Sequence, residues 1–577
     1  MGIFILTTCG TDLSRAEAVL VRAGFEPAWQ VRDGGTHLLL LRKLNGEGGG
    51  VVTREDGEFA CGVGTLIRAG KTGTAALDGL LRNFDPEAAP WRDSRGSWCA
   101  VLRKHGALHL VNDRLNGAKV YHDGARRVFS NSFVALCEMG RAGGLDAHGC
   151  YDYVWNGTVH GTRTFLSGIE TMPNDTVATF RDNAVTFTRH HEALPALPAG
   201  GLDAVADACL ERLKTLFATY AGLWPRSVRS ALSGGYDSRL LLALLLDGGL
   251  DPSLFVYGDT ADPDVKIAKA ICAGEGLALE HIDKQAHPPL SPERFAAEVE
   301  ADLFAFDGWK NAGLFDDGSD RRDRMARSGQ VLMNGSVGES FRNFYYLRDG
   351  HFSMSDLVGV FHSTYDPAAC TAAFDGEAYE ETVAADMAAA VGVSAQGRHP
   401  RAVMEMCYPL VRGRYWTARD AAINQRFGTS LTPFLEPAVF GGTWSIPLAL
   451  KSFGRLEARM IARLAPRLAG YGSAYGFPFD AEPPLGYRLA MTLNHWRPLW
   501  LRRVSYRLRH RRPEALPPIL RPAYLRTVID LSFPFTRHLF RPGRLHHAEA
   551  FNRLCTIEYL AQRYCDGTPS PSGRGLG

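Results

Sequence analysis

The chain has no Cys-x-x-Cys pair, and its eleven cysteines are scattered and odd in number. That pattern suits reduced thiols in a cytoplasmic protein better than a disulfide framework. Long apolar runs are also missing. The longest, Leu240–Leu246, falls far short of the ~20 residues that span a bilayer, so no transmembrane segment is expected. The start, Met1–Leu6, has no basic stretch and soon meets polar residues from Thr7, which excludes a signal-peptide reading. An excess of one charge is absent too. With 64 Lys+Arg against 62 Asp+Glu, no global field draws the protein to nucleic acid, and no nucleic-acid partner is expected.

What remains is a soluble chain of 577 residues, 45% hydrophobic and 22% charged, long enough for two or more cores. Its first third reads as short strands. Thr36–Leu41, Cys99–Leu102, Leu108–Val111 and Thr176–Phe180 are apolar or alternating runs between Gly, Asp and Asn turns. Leu194–Gly201, rich in Pro and Gly and uncharged, reads as a linker. Helical spacing follows at Val205, Cys209, Leu213 and Leu216. Strand-like Val228–Leu232 and Leu254–Tyr257 then alternate with helical Arg239–Leu246 and Val265–Ala273, which predicts a parallel sheet with covering helices. The C-terminal stretch is Arg-rich, with Arg503, Arg507 and Arg511 four apart. That spacing predicts a charged helix face, with contact to a polyanion or a membrane surface as the alternative. His190-His191 and His546-His547 lack partners at ligand spacing and read as solvated histidines.

Ser233-Gly-Gly-Tyr-Asp-Ser238 lies between a strand and a Leu-rich helix. Two glycines let backbone approach a phosphate, the serines offer hydroxyl donors, and the helix N-terminus adds an anion site. Asp237 alone would repel phosphate, so its presence argues for a bridging Mg²⁺. This SGGxDS element resembles the signature of the N-type ATP pyrophosphatases, and the chain around it resembles asparagine synthetase. Asp264–Ala268 is similar to the family's D-x-x-x-A helix, Val331–Ser340 to its second acidic loop, and Pro433–Glu436 to its P-F-L-D segment.

The resemblance implies an α/β protein. An N-terminal nucleophile (Ntn) hydrolase-like αββα domain over residues 1–192 and a linker at 193–201 would precede a doubly wound PP-loop domain at 202–490. A helical extension at 491–565 and a disordered tail at 566–577 would follow. ATP and Mg²⁺ are the implied cofactors. Leu232, Ser233, Gly234, Gly235, Tyr236, Asp237, Ser238, Tyr257 and Gly335 would contact nucleotide, and Asp237 and Glu339 would hold the metal. The implied activity is adenylation of a small-molecule or peptide carboxylate followed by attack of ammonia or an amine, and a homodimer is compatible with the family. The alternatives are a macrolactam cyclase and a non-catalytic nucleotide-binding scaffold.

The chain departs from the family at several positions. Ser336 stands where ammonia-using members carry glutamate, Thr429 and Leu431 replace an E-x-R, and Ala474 replaces the charge-stabilising lysine. Charge developing on phosphate still needs a donor. Lys451, then Arg419, are the expected substitutes, with Lys310 and Arg414 behind them. In the first half, Gly96–Val101, Asn112–Tyr121, Phe129–Ser132 and Thr164–Pro173 are similar to the glutaminase domain's motifs. The nucleophilic cysteine expected after Met1 is Gly2, so no glutaminase activity is expected.

Overall fold

A computed structural model describes residues 1–565 apart from 49, 116, 182–183, 191, 284–289, 363–364 and 511–513; the side chains of 506, 507, 509 and 510 also lie outside the described set. The expectations placed on the tail, His191, Arg507 and Arg511 therefore fall outside it.

Period-two patterning builds the first half. Ile3–Thr7 is apolar on both faces: Ile3 and Ile5 join one core, Phe4 and Leu6 another. Leu38 and Leu40 alternate with Leu39 and Leu41 in the same way along Thr36–Leu41. This strand pair is central in a six-stranded sheet ordered Ile169–Thr171, Tyr121–Asp123, Val128–Ser130, Ile3–Thr7, Thr36–Leu41, Pro27–Asp33. A second sheet runs Ala184–Arg189, Thr176–Arg181, Ala107–Asn112, Trp98–Lys104, Phe59–Gly64, Val51–Thr53. Cys61, Val63, Cys99 and Val101 face the first sheet, while Ala60, Trp98, Ala100 and Leu102 face the helix Gly73–Asn83. Helices Ser14–Arg22 and Phe133–Glu138 cover the outer face of the first sheet. The layers therefore read helix, sheet, sheet, helix.

The second half opens with the helix Leu202–Leu223 and holds one parallel sheet, ordered Leu279–Ile282, Pro252–Tyr257, Val228–Ala231, Val331–Met333, Ser430–Leu431. The chain builds outward from Val228–Ala231 in one direction and then returns to add strands on its other side. Such a reversal opens a crevice beyond the strands' carboxyl ends, where ligands bind in open α/β sheets.

The halves are cross-linked by buried polar contacts. Asp307 accepts from Ser132 Oγ at 2.6 Å and from Phe133 N at 2.9 Å, capping the helix Phe133–Glu138 from the other half. Lys119 Nζ donates to the Arg414 carbonyl at 2.9 Å, and burial lowers its pKa to about 7. Glu436 accepts from Gly96 N at 2.8 Å. Among the described residues no helix is long and apolar enough to cross a membrane.

Candidate functional site

A cavity of about 550 Å³ opens at the strand reversal, between the segments that follow Val228–Ala231 and Val331–Met333. Ser233, Asp237, Ser238, Tyr257, Gly335 and Glu339 line it. Sequence reading placed all six at the nucleotide site, and the fold brings them together from three separate segments.

The first loop is held from within. Ser233 N donates to Ser238 Oγ at 3.0 Å, and the two hydroxyls lie 2.9 Å apart. Gly234 N donates to Asp264 Oδ1 at 2.8 Å, which gives the D-x-x-x-A aspartate its task. A Cβ at Gly234 would lie 2.7 Å from Ile267 Cδ1 and 3.0 Å from Ala474 N, so a side chain there would have to displace Ile267. Leu232 is buried, its amide bonded to the Phe255 carbonyl at 2.9 Å. Tyr236 turns inward and stacks on Phe479 with ring centroids 3.9 Å apart, so it serves the loop through its backbone. Asp237 stands in the first turn of the helix Tyr236–Asp247.

The second loop presses against the first. A Cβ at Gly338 would lie 2.4 Å from Asp237 Oδ1, so glycine is required there. Its neighbour Val337, β-branched and buried, has φ +78°. This left-handed conformation is costly for such a residue and persists where surrounding structure imposes it. Glu339, two residues on, lines the cavity. Ser336 Oγ donates to Asn334 Oδ1 at 2.7 Å, so its hydroxyl is committed within its own turn.

Arg342, which sequence reading did not single out, organises the acids. Its Nη2 donates to both Asp237 oxygens at 2.8 Å, its Nε lies 2.9 Å from Glu457, and its Nη1 donates to Tyr475 Oη at 2.9 Å. Glu339 lies 3.9 Å from the same guanidinium and also accepts from the Tyr408 hydroxyl. Three carboxyl groups thus share one arginine. Burial, then the nearby Asp237 charge, pushes the fully enclosed Glu457 well above the usual carboxylate range. Burial, with Glu339 adding to it, also raises Asp237 despite the arginine.

Asp237 and Glu339 offer Mg²⁺ hard oxygen donors on one cavity wall, and that ion commonly takes one or two carboxylates plus substrate phosphates. Each Asp237 oxygen accepts one bond from Arg342 and keeps a further lone pair, so the donor set fits the ion.

The expected substitute cations are elsewhere. Lys451 is buried, bonded to Glu405 at 2.5 Å and to the Thr443 carbonyl at 3.2 Å. Arg419 is also buried. It binds Tyr121 Oη and the carbonyls of Phe306, Asp307 and Trp309, and lies 3.4 Å from Asp307 Oδ2. Neither lines the cavity, because each is spent as an internal cross-link. Lys310 pairs with Asp316 and Asp320, and Arg414 is buried; neither of them lines the cavity. Ala474 does sit on the loop, donating its amide to the Gly234 carbonyl at 3.0 Å, but it brings only a methyl group.

The cavity's own cations are Arg229, Arg324, Arg327 and Arg412. The first three are paired with Glu280, with Asp320 and Asp420, and with Asp323 and Glu280 respectively. Arg412 lies 4.2 Å from the Trp416 ring centroid and, among the described residues, has no carboxylate within ion-pair reach. It shares the π-helix Tyr408–Thr417 with three other lining residues, Tyr408, Trp416 and Thr417. Such wide turns often mark functional sites, and no periodicity in the sequence announces them. Arg412 and Trp416 also line a second cavity of about 310 Å³, with Arg544, His547, Arg553 and Asn311. The buried Asn311 Oδ1 has no hydrogen-bond partner among the described residues.

No known protein-family profile matches the chain, and no curated protein matches it. Among solved structures it is similar to the glutamine phosphoribosylpyrophosphate amidotransferase from B. subtilis complexed with ADP and GMP. That match has 9% identity, 51% of this chain, 70% of the other and a TM-score of 0.24. It is similar to an allosteric regulatory enzyme of purine biosynthesis at 9% identity, 50% and 82% coverage and a TM-score of 0.24. A third is glutamine-dependent NAD⁺ synthetase from Acinetobacter baumannii in complex with ADP, at 16% identity, 50% and 59% coverage and a TM-score of 0.16. Scores this low establish neither a shared overall fold nor a shared function.

Proposed function

We propose that this chain is an asparagine synthetase-like, ATP- and Mg²⁺-dependent ligase that adenylates a carboxylate and couples it to ammonia or an amine. It would work without a glutaminase of its own, on a PP-loop domain beside an Ntn-hydrolase-like one. The observation that carries the reading is the meeting of Asp237 and Glu339, from two different loops, on one cavity at the strand reversal. A purely structural acid would not be held against a second and a third carboxyl group beside open space.

Asp237 and Glu339 would hold Mg²⁺, whose charge would offset that of the phosphates. The chain's own groups supply the rest. Ser233, Ser238 and the amides opening the helix Tyr236–Asp247 would hold phosphate oxygens. Arg342 keeps Asp237 oriented and bears its charge before nucleotide arrives. Arg412, at the cavity wall and without a carboxylate partner among the described residues, is the group we assign to charge developing on the phosphates, in place of the missing lysine. In the first step a carboxylate oxygen bonds the α-phosphorus as the bond to pyrophosphate breaks. In the second, nitrogen bonds the acyl carbon, AMP leaves with the bonding pair, and the nitrogen's proton passes to solvent. The second cavity shares Arg412 and Trp416 with the first, and its other arginines, Arg544 and Arg553, stand beside Asp366 and Glu549, the latter paired with Arg553.

A non-catalytic nucleotide-binding scaffold is the second reading, favoured by Ala474 and by the engagement of Asp237 with Arg342. Both readings require ATP binding, and only the first requires turnover. The test is ATP–pyrophosphate exchange with amino acids, sugar acids and acidic peptides, beside calorimetry of ATP with and without Mg²⁺. The ligase predicts exchange with one class, lost in Asp237→Asn. Tight ATP binding with no exchange from any class would leave the scaffold, and no ATP binding would remove both.

A further inference from the structure

The helices Leu485–Trp496 and Leu499–His510, joined by Arg497 and Pro498, display an apolar stripe outward. Leu485, Leu489, Leu493 and Trp496 fall at helical spacing on the first helix, and Trp500, Val504 and Leu508 on the second. Leu485, Leu489, Leu493, Trp496, Trp500 and Leu508 are between 56% and 72% exposed, and the first helix has no buried residue. Elsewhere the exposed large hydrophobics are scattered singly, which needs no explanation, whereas a contiguous stripe does.

Charge selects the occupant. Residues 485–510 contain six arginines and no aspartate or glutamate, in a chain whose net charge is only +2. Arg502 is buried under the pair and donates to the carbonyls of Tyr345, Tyr346 and Asn494, and Arg503 pairs with Glu380, so these two fasten the helices down. Arg488 and Arg497 remain half-exposed beside the stripe. A second copy of this face would meet like charge. Nucleic acid would leave the leucines and tryptophans in water. An anionic bilayer surface satisfies both features, with leucine in the acyl boundary, tryptophan at headgroup depth and arginine against lipid phosphate.

We infer that the helical pair 485–510 docks in the plane of an anionic lipid surface. Its inner side rests on the segment following Glu339. Arg502 holds the Tyr345 and Tyr346 carbonyls, and Tyr487 packs on Phe477, beside the first loop, with centroids 5.0 Å apart. Docking would thus set the second acidic loop near the bilayer.

The test is co-sedimentation of the full chain with vesicles of equal parts phosphatidylglycerol and phosphatidylcholine, against phosphatidylcholine alone. We expect binding to the anionic vesicles only, weakened by salt and cut about tenfold by Leu493→Glu with Trp500→Glu. Both positions are exposed, so folding should survive, and unchanged circular dichroism and ATP affinity check that. Arg488→Gln should cost about fivefold. Equal binding of the double variant, no binding to anionic vesicles, or a lipid-free dimer abolished by Leu493→Glu would each overturn the inference. The dimer would identify a second copy as the occupant. None of these outcomes depends on ligase activity.

Discussion

Two arginine-centred clusters in the same half show what separates a cross-link from a site. Around Asp307, one acid faces two arginines, Arg419 and Arg426, at 3.4 and 3.5 Å, and backbone carbonyls take much of the remaining donor capacity. The cavity that Asp307, Arg419 and Arg426 line holds only about 10 Å³. Around Arg342 the ratio inverts: Asp237, Glu339 and Glu457 share one guanidinium at the edge of about 550 Å³ of open space. The first arrangement is a closed internal cross-link. The second gathers three carboxyl groups on one guanidinium, with burial raising Glu457 well above the usual carboxylate range, and under the proposed function Mg²⁺ would complete it. An excess of carboxyl groups beside a cavity distinguishes the functional cluster.

The sharpest way to break this comparison is to remove each arginine. Arg419→Met strands a buried network, and breaking such pairs typically costs about 3–5 kcal/mol. Arg342→Met should cost less, about 1–3 kcal/mol, because burial already favours the neutral form of Glu457 and Asp237 opens to the cavity. Urea denaturation measures both, and equal losses would erase the distinction. Arg342→Met should also alter the Mg²⁺ concentration needed for ATP binding, which Arg419→Met should leave alone. Arg412→Met sharpens the functional side. It should slow pyrophosphate release about 10²–10³-fold with little change in ATP affinity, since a donor aimed at developing charge acts mainly in the transition state. Wild-type rates would return the question of the missing lysine unanswered.

A smaller effect tests the seam between the halves. Burial raises Glu436 to about 7 while its oxygen accepts from Gly96 N. Its folded-state value lies above the unfolded one of about 4.3, so the folded state favours the proton. The stability it contributes is present below about pH 4 and is lost as pH rises through about 7. Glu436→Gln keeps an acceptor without the ionisation, and should flatten that slope and stabilise the protein at pH 8 by on the order of 2 kcal/mol. An unchanged pH profile would show that the carboxyl is not buried as described.

The loop Ser233–Ser238, the alternation of strand and helix around it and the Leu194–Gly201 break were legible because each rests on local chemistry: glycine at close approaches, period-two or helical apolar spacing, proline between. The strand Val228–Ala231 and the helices Tyr236–Asp247 and Pro263–Glu275 lie where spacing puts them. The cation assignments were not legible. Lys451 and Arg419 looked apt from their place in the chain, but only tertiary packing reveals that Glu405 and Asp307 have already taken them. Arg342 and Arg412 carry no local mark. One gains its role from the approach of Glu457, more than 100 residues on, and the other from a π-helical turn that aims it at the cavity.

The smallest expected effect is none at all. Gly2→Cys would place a thiol where glutaminases of this type carry theirs, yet we expect no glutamate release from glutamine. The Gly2 amide is bonded to the Leu41 carbonyl at 2.9 Å, as part of the strand pairing that builds the first sheet. A Cβ there would lie 2.8 Å from the Arg42 carbonyl oxygen and 2.9 Å from Lys43 Cα, both backbone atoms that cannot swing aside. The side chain must therefore push the strand Thr36–Leu41 away or distort its own. Whether or not Met1 is removed, the amine and thiol would lack the geometry in which one activates the other. The measurement is glutamate formed from glutamine by pure Gly2→Cys protein, read beside its thermal midpoint. A lowered midpoint with no glutamate is expected. Steady glutamate production that is blocked by a thiol alkylating agent would overturn the reading and return a working glutaminase to the first half.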